Sequence, residues 1–369
     1  MNLQLTRRPI ANTDAGPIVA LASELIRSEN TSADRINECA GYCANWLRHR
    51  GADTTEYEYR GLKSVVAKVG QGSPVVVLNG HLDVVPGEPQ DFVPRMENGR
   101  LYGRGSYDML GSVACLMTLM AEFAQSPPDC TVILALVPDE ESGGELGTGY
   151  LVDRGVVGDI AICGEPTNLN IAVQAKGILQ LWIEVRGVAA HGSRPWLGEN
   201  AIIKALENYQ TISSLNAFEQ NTAYFASPSL NLAKIHAGKA FNQVPDACSI
   251  GVDIRYLPGQ DPDQLLRQIR SSLPDADVRV HFHGSPVHTS EDDRLVRRLR
   301  KHARSVFFGQ DGSADTRFYA TTGMPAVEFG PSGANHHGPD EYVDIQSLSE
   351  YTDILRNFIT TIKDDEDEI

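Results

Sequence analysis

Five side chains with a taste for metal, His81, Asp108, Glu141, Glu165 and His337, stand where apolar, strand-like runs of this chain stop, and that placement constrains the fold more than any other feature. Val75–Leu78 leads to His81, Thr131–Val137 runs into Pro138-Asp139-Glu140-Glu141, and Asp159–Cys163 runs into Gly164-Glu165-Pro166. Isolated carboxylates directly after buried strands are costly unless something compensates them. The stretch Met109–Phe123 predicts a helix, as do Ile18–Ile26 and Ala33–His49, the last with Thr31-Ser32 as capping candidates. Strand, helix, strand alternation implies a partly parallel sheet covered by helices, with its ligands outside the carboxyl ends of the strands.

Coordination chemistry gives this pattern a use. Two imidazoles and three carboxylates, one of them shared, give each of two ions two protein ligands of its own plus a bridge, and zinc accepts such mixed nitrogen and oxygen sets. Asp108 is the carboxylate placed to bridge, because it follows the glycine-rich turn Gly103-Arg104-Gly105-Ser106-Tyr107 and opens the helical stretch, where an anion is favoured. Asp83 lies two residues after His81, on the same side of an extended chain, and is expected to hold the other ring nitrogen of His81. Adjacent Glu140 and Glu141 repel unless one is neutralised by metal and the other carries a proton, so Glu141 is assigned to metal and Glu140 to the base. His281 and His283 have the spacing of one strand face, but no carboxylate neighbours them, and a structural use is expected; Glu145, Asp153 and His288 read as surface residues.

The middle of the chain changes character near Gly177. Strand-like Ile178–Val185, Ser229–Ala237, Ala247–Tyr256 and Asp277–His283 interleave with helical Asn200–Ser214 and Asp263–Leu273, in the order β-α-β-β-α-β of a ferredoxin-like unit. A complete small domain, residues 177–286, is therefore expected inside a larger one made of 1–176 and 287–369, whose chain resumes with the helix Asp292–Val306 and the strand Ala326–Phe329. The expected fold is α/β: a mixed sheet sandwiched by helices, with an inserted ferredoxin-like α+β domain.

Composition agrees. A chain of 369 residues, 41% of them hydrophobic, can bury a core in each of two domains. A net charge of −16 argues against nucleic acid or an anionic membrane as partner, and part of it sits in the acidic end Lys363–Glu368, expected to be solvated and frayed. The six cysteines are scattered through apolar runs and read as reduced core residues. The amino terminus lacks an apolar secretory core and no run is long enough to span a membrane, so a cytoplasmic location is expected.

In the same order along the chain, His81-Leu82-Asp83-Val84-Val85-Pro86, Gly105-Ser106-Tyr107-Asp108-Met109, Asp139-Glu140-Glu141-Ser142-Gly143, Gly164-Glu165-Pro166-Thr167 and His337-Gly338-Pro339-Asp340-Glu341-Tyr342 resemble the motifs of the M20 family of metallopeptidases, the group that includes acetylornithine deacetylase, succinyl-diaminopimelate desuccinylase, aminoacylases and certain carboxypeptidases. The resemblance implies one metal held by His81, Asp108 and Glu165 and a second by Asp108, Glu141 and His337, two zinc ions that cobalt or manganese can replace. It also implies that the inserted domain acts as lid and homodimer interface, that His191 stabilises an oxyanion, and that Asn242 and Arg255 hold a substrate carboxylate. The run Ser313-Ala314-Asp315-Thr316-Arg317 resembles a substrate loop, with Ser313 as its binding residue. One departure is Leu110, where many relatives carry a lysine. His336 and His337 compete for one ligand role, and the trailing Gly-Pro-Asp-Glu-Tyr aligns after His337.

The expected activity is metal-assisted hydrolysis of the amide bond of a small N-acyl amino acid, with Glu140 as general base and Asp83 and His191 assisting. A dipeptidase or carboxypeptidase acting on a dipeptide with a free carboxylate is the alternative on the same scaffold. A non-catalytic binding protein is disfavoured, since a binder has no need of a base beside its ligands.

Overall fold

The computed structural model describes residues 16–363, so the expectations for the amino-terminal stretch and for the acidic end beyond Lys363 lie outside the described residues. The chain divides into two compact units. One comprises the chain through Val173, Thr289–Phe307 and the part from Ala314 onward; the other comprises Gln174–His288 and Phe308–Ser313.

The centre of the first unit is the strand Val75–His81. Its β-branched run is buried along almost its whole length because it is paired on both sides, in parallel, with Thr131–Val137 and Ile160–Cys163. The sheet runs in the order Asp53–Tyr59, Leu62–Gly70, Thr131–Val137, Val75–His81, Ile160–Cys163, Ala326–Glu328 and Ile171–Ala175, with antiparallel pairs toward its edges. Register decides what this sheet presents. His81 pairs with Val137 and Asn79 with Cys163, so the residues just past all three carboxyl ends, Glu140, Glu141 and Glu165 among them, come out at the level of His81.

The helix Leu110–Gln125 is apolar on nearly every side and almost wholly buried, as expected of a helix enclosed between a sheet and other helices. It packs against Gly16–Arg27 and against the last helix, Ile345–Thr360. Ser32 stands at the start of Ala33–Arg48 but makes no side-chain capping bond. A second small sheet, in the order Gly333–Ala334, Tyr342–Asp344, Arg100–Tyr102, Arg95–Glu97, frames the loop that carries His337. The six cysteines are buried free thiols. Among the described residues, no helix is long and apolar enough to cross a membrane.

The second unit contains Gly177–Arg186, Ala201–Ser213, Ser229–Ala237, Ala247–Tyr256, Pro262–Ser272 and Ala276–Gly284, the expected β-α-β-β-α-β order. Its antiparallel sheet has the first and third strands central and the second and fourth at the edges, and leucine, isoleucine and valine at alternate positions pack against the two helices. Phe308–Ser313, which the sequence reading places with the larger domain, groups with this unit: the Lys176 backbone N–H donates to the Gln310 carbonyl and the Lys176 ammonium meets Asp311 at 2.7 Å. A register shift between Val280 and Phe282 separates the two strand histidines. His283 bonds the hydroxyl of buried Tyr256 at 2.9 Å, whereas His281 lies edge-on to Trp182.

Candidate metal centre

His81 ends the central strand, and its ring is buried. Its Nδ1 lies 2.8 Å from the backbone oxygen of Asp83, which can only accept, so Nδ1 carries the proton and the Nε2 lone pair points away. That lone pair faces two acceptors, Asp108 Oδ1 at 3.1 Å and Glu165 Oε2 at 4.0 Å. Three lone-pair groups converge only around a proton or a cation. The Asp83 carboxylate has a different use from the one expected. It stands 3.6 Å from Nδ1, and it accepts the backbone N–H groups of Glu140 at 3.2 Å and Glu141 at 2.9 Å, so it holds the acidic turn rather than the imidazole.

Asp108 divides its two oxygens between two histidines. Oδ1 faces His81 Nε2, and Oδ2 faces His337 Nε2 at 3.2 Å. His337 Nε2 is also 3.0 Å from Glu141 Oε1. Of the two neighbouring histidines it is thus His337 that reaches the acids, while His336 lies edge-on to Tyr107. Metal-binding atoms of His81, Asp108 and Glu141 all come within 4.8 Å of one another.

Two residues that sequence reasoning assigned no role hold the turns of the site. Glu341, almost fully buried, accepts the backbone N–H groups of Gly105, Tyr107 and Asp108, each at 3.0 Å, and pairs with buried Arg104 at 2.8 Å. The signal lay in the motif after His337, where an acid stands among turn residues with no stated partner. Asp139 does similar work beyond the base: its carboxylate accepts the N–H groups of Leu146 at 2.7 Å and Gly147 at 2.8 Å and closes the loop after Glu140-Glu141. Leu110, at the departure from the family lysine, is buried in the first turn of its helix.

The electrostatics show how poorly this cluster tolerates its own charge. Burial pushes the Glu140 and Glu165 carboxyls well above the usual range, with neighbouring carboxylates adding to the effect against the opposing pull of His81. Burial likewise raises Asp83 to about 6. Asp108 goes the other way, because the bonds from His337 and His81 outweigh its burial. His337 is pushed up to about 10 by Asp108 and then Glu141. Burial opposes charge on the His81 ring, but Asp108, Glu165 and Asp83 together hold its proton well above the ordinary value.

These residues fit a pair of divalent cations. Glu165 Oε1 is buried with no hydrogen-bond partner among the described residues, an orphan that a cation satisfies. The donors are hard carboxylates and imidazole nitrogens of the kind zinc accepts, and Asp108 is turned toward both histidines.

The other expected site residues, His191, Asn242, Arg255 and Ser313, belong to the second unit. The His191 Nδ1 accepts the Ser193 backbone N–H at 3.2 Å, which leaves the proton of the neutral ring on Nε2 as a free donor. The Asn242 carbonyl accepts the Gly192 N–H at 2.7 Å, tying the Asn242 turn to the His191 turn. Arg255 is engaged by Asp253 on its own strand, Nε to Oδ1 at 2.7 Å. The Ser313 hydroxyl is buried without a hydrogen-bond partner among the described residues.

Parallel strands that end at His81, before Glu140-Glu141 and before Glu165 belong here to a family that makes the protein a hydrolase acting on amide bonds. The chain belongs to Peptidase family M20/M25/M40, whose profile matches residues 77–361. It is 30% identical to the succinyl-diaminopimelate desuccinylase of Xylella fastidiosa (strain M23), over 93% of this chain and 97% of that one. Its fold is similar to that of the aminopeptidase PepT from Bacillus cereus ATCC 10987, with a TM-score of 0.81 at 16% identity over 94% of this chain and 98% of the other. It is also similar to the YXEP protein of Bacillus subtilis, described as a dinuclear metal-binding peptidase of the M20 family, with a TM-score of 0.69 at 14% identity over 94% and 98% of the two chains.

Proposed function

We propose that this protein hydrolyses the amide bond of a small N-acyl amino acid, as a deacetylase or desuccinylase does, with two zinc ions and Glu140 as general base. The observation that carries the reading is the division of the Asp108 carboxylate between His81 and His337, with Glu140 beside the second acid. His81, Asp108 and Glu165 would hold one ion, and Asp108, Glu141 and His337 the other; cobalt or manganese would serve in the same donor set. When bound, the two cations lower the proton affinity of water and polarise an amide carbonyl.

The protein's own groups do the rest. Glu140 takes the proton of the attacking water at its carboxylate and returns it to the leaving amine nitrogen; its burial, which favours the protonated acid, suits it to both tasks. Asp83 holds the Glu140-Glu141 turn by two backbone N–H groups and so limits where that carboxylate can stand. His191 offers its Nε2–H to the developing oxyanion, and its neighbour Ser193 keeps it in that tautomer. Arg255 receives the substrate carboxylate by exchanging part of its pairing with Asp253, with Asn242 and Ser313 as further contacts. Residues 177–286 would serve as lid and as homodimer interface, with His191 serving its own or the neighbouring site.

The likeness to a desuccinylase along nearly the whole of both chains supports an acyl amino acid over a dipeptide as substrate. The test is a panel of acetyl-, succinyl- and aminoacyl-amino acids, assayed after chelation and again after zinc is restored. Turnover of acyl amino acids that disappears with the metal and returns with it is the expected result. Preferential cleavage of aminoacyl substrates would move the assignment to a dipeptidase or carboxypeptidase, and turnover indifferent to chelation would sink it.

A further inference from the structure

The turn that carries Glu140 is gripped from beneath by residues outside the site described above. Asp315 is fully buried, and its Oδ2 receives the hydroxyl of Thr148 at 2.6 Å. The same Thr148 oxygen accepts the Asn79 side-chain N–H at 2.9 Å, and Asn79 stands on the central strand two residues before His81. One hydroxyl and one amide therefore join Asp315 to the strand that ends in His81.

Two residues further on, the Arg317 guanidinium donates to the carbonyl of Gly143. Between these two points lies Gly144, whose φ of +68° suits glycine, and Asp315 Oδ1 occupies the space that a Cβ there would need. That oxygen has no hydrogen-bond partner among the described residues. An acid held this way weakens the fold unless its position serves something else, because an apolar residue would fill the same space without burying an unpaired oxygen. Burial pushes its carboxyl up to about 7. The loop is thus held at Glu140 and Glu141 by Asp83, at Gly143 by Arg317 and at Thr148 by Asp315, whose other oxygen stands against Gly144.

We infer that Asp315 and Arg317 are positioning residues that fix the Glu140 carboxylate, through Thr148 and Gly143, relative to the strand bearing His81. The inference rests on the reading of Glu140 as the base, and it gives the Asp315-Thr316-Arg317 run a duty separate from substrate contact.

The experiment compares Thr148→Val, which breaks the grip with little change of volume, Asp315→Ala and Arg317→Ala with the conservative Asp315→Asn and Arg317→Lys. In zinc-loaded protein, the first three variants are expected to keep full metal content and a KM within about twofold while kcat falls about 10- to 100-fold, the scale of displacing a proton carrier that is still present. The conservative pair should recover most of that loss. In metal-free protein, the backbone amides of residues 140–149 should exchange with deuterium about tenfold faster in Thr148→Val, while those of the neighbouring strand Thr131–Val137 keep their wild-type rate. Unchanged exchange and a kcat within twofold of wild type would overturn the inference, as would faster exchange spread evenly over the unit, the mark of a structural role only. If wild-type protein cleaved no amide, the proposed reaction would fail, and the exchange pattern would still decide whether Asp315 holds the turn.

Discussion

The carboxylate of Glu341 accepts the backbone N–H of Asp108 at 3.0 Å, so an acid 233 residues further along the chain holds the residue that faces both histidines. The same carboxylate pairs with Arg104 in a region closed to water. Removing one partner of a buried pair strands the other charge, at a cost of about 3–5 kcal/mol. Glu341→Ala is therefore expected to lower stability on that scale and to weaken zinc binding, because the turn before Asp108 loses three acceptor contacts. Urea denaturation and a zinc titration check this; an unaltered midpoint with unaltered affinity would contradict it.

Glu140 and His81 separate chemistry from metal binding. Glu140→Ala is expected to retain zinc and to lose about 10²- to 10⁴-fold in kcat, the range for a general base. His81→Ala should lose zinc as well. Metal analysis beside steady-state kinetics distinguishes the two, and equal zinc loss in both variants would refute the division of roles.

Zinc binding should release protons. In metal-free protein His337 keeps its proton up to about pH 10, and Asp108 and Glu165 overcome burial to hold the proton of His81. A cation must displace those protons, so affinity is weakest at low pH and strengthens as pH rises toward 10. Proton release at pH 7 is expected from both imidazoles, with any proton on Glu165 adding to it, read by calorimetry in buffers of different ionisation enthalpy. Binding with no proton release would argue against both imidazoles as ligands.

Asp315 ties stability to pH with a definite sign. Its carboxyl sits at 3.8 when unperturbed and about 7 in the folded protein, so the folded state binds the proton more tightly. Its contribution is full below about pH 4 and is lost as pH rises through 7. Asp315→Asn removes that dependence. In metal-free protein, the stability of the variant relative to wild type should improve between pH 4.5 and pH 8 by at most about 4 kcal/mol. A stability difference flat across that interval would mean that the carboxyl titrates alike in both states.

His191 and Arg255 should show opposite kinetic signatures. Loss of the Nε2 donor in His191→Ala is expected to lower kcat about 10²- to 10³-fold with zinc retained. Arg255→Ala removes binding of the substrate carboxylate, and its effect should fall mainly on KM. Steady-state constants for both variants on one acyl amino acid provide the check, and a change confined to KM in His191→Ala would remove it from the oxyanion role.

Much of the fold was legible in local pattern. The runs at Thr131–Val137, Ser229–Ala237 and Ala247–Tyr256 are strands with the expected boundaries, because β-branched and alternating segments of that length have no competing helical period. The strand Asp53–Tyr59 was not legible. It lies at the sheet edge with most of its side chains exposed or half-exposed, so it lacks an apolar signal. The short strands around the His337 loop, two or three residues each, are set by their partners rather than by their own composition. The pairing of His283 with Tyr256 depended on a register shift that residue spacing does not reveal.

By itself, the sequence determined which residue types are available for chemistry and that parallel strands would deliver several of them to one edge, since periodicity and strand termination are local properties. Only the tertiary structure decided the partners: the Asp83 carboxylate on the backbone of Glu140 and Glu141, Glu341 on Asp108, and Asp315 on Thr148. Two of those three contacts join residues more than 160 positions apart, and a hydrogen bond depends on where the folded backbone places donor and acceptor, which residue order alone does not specify.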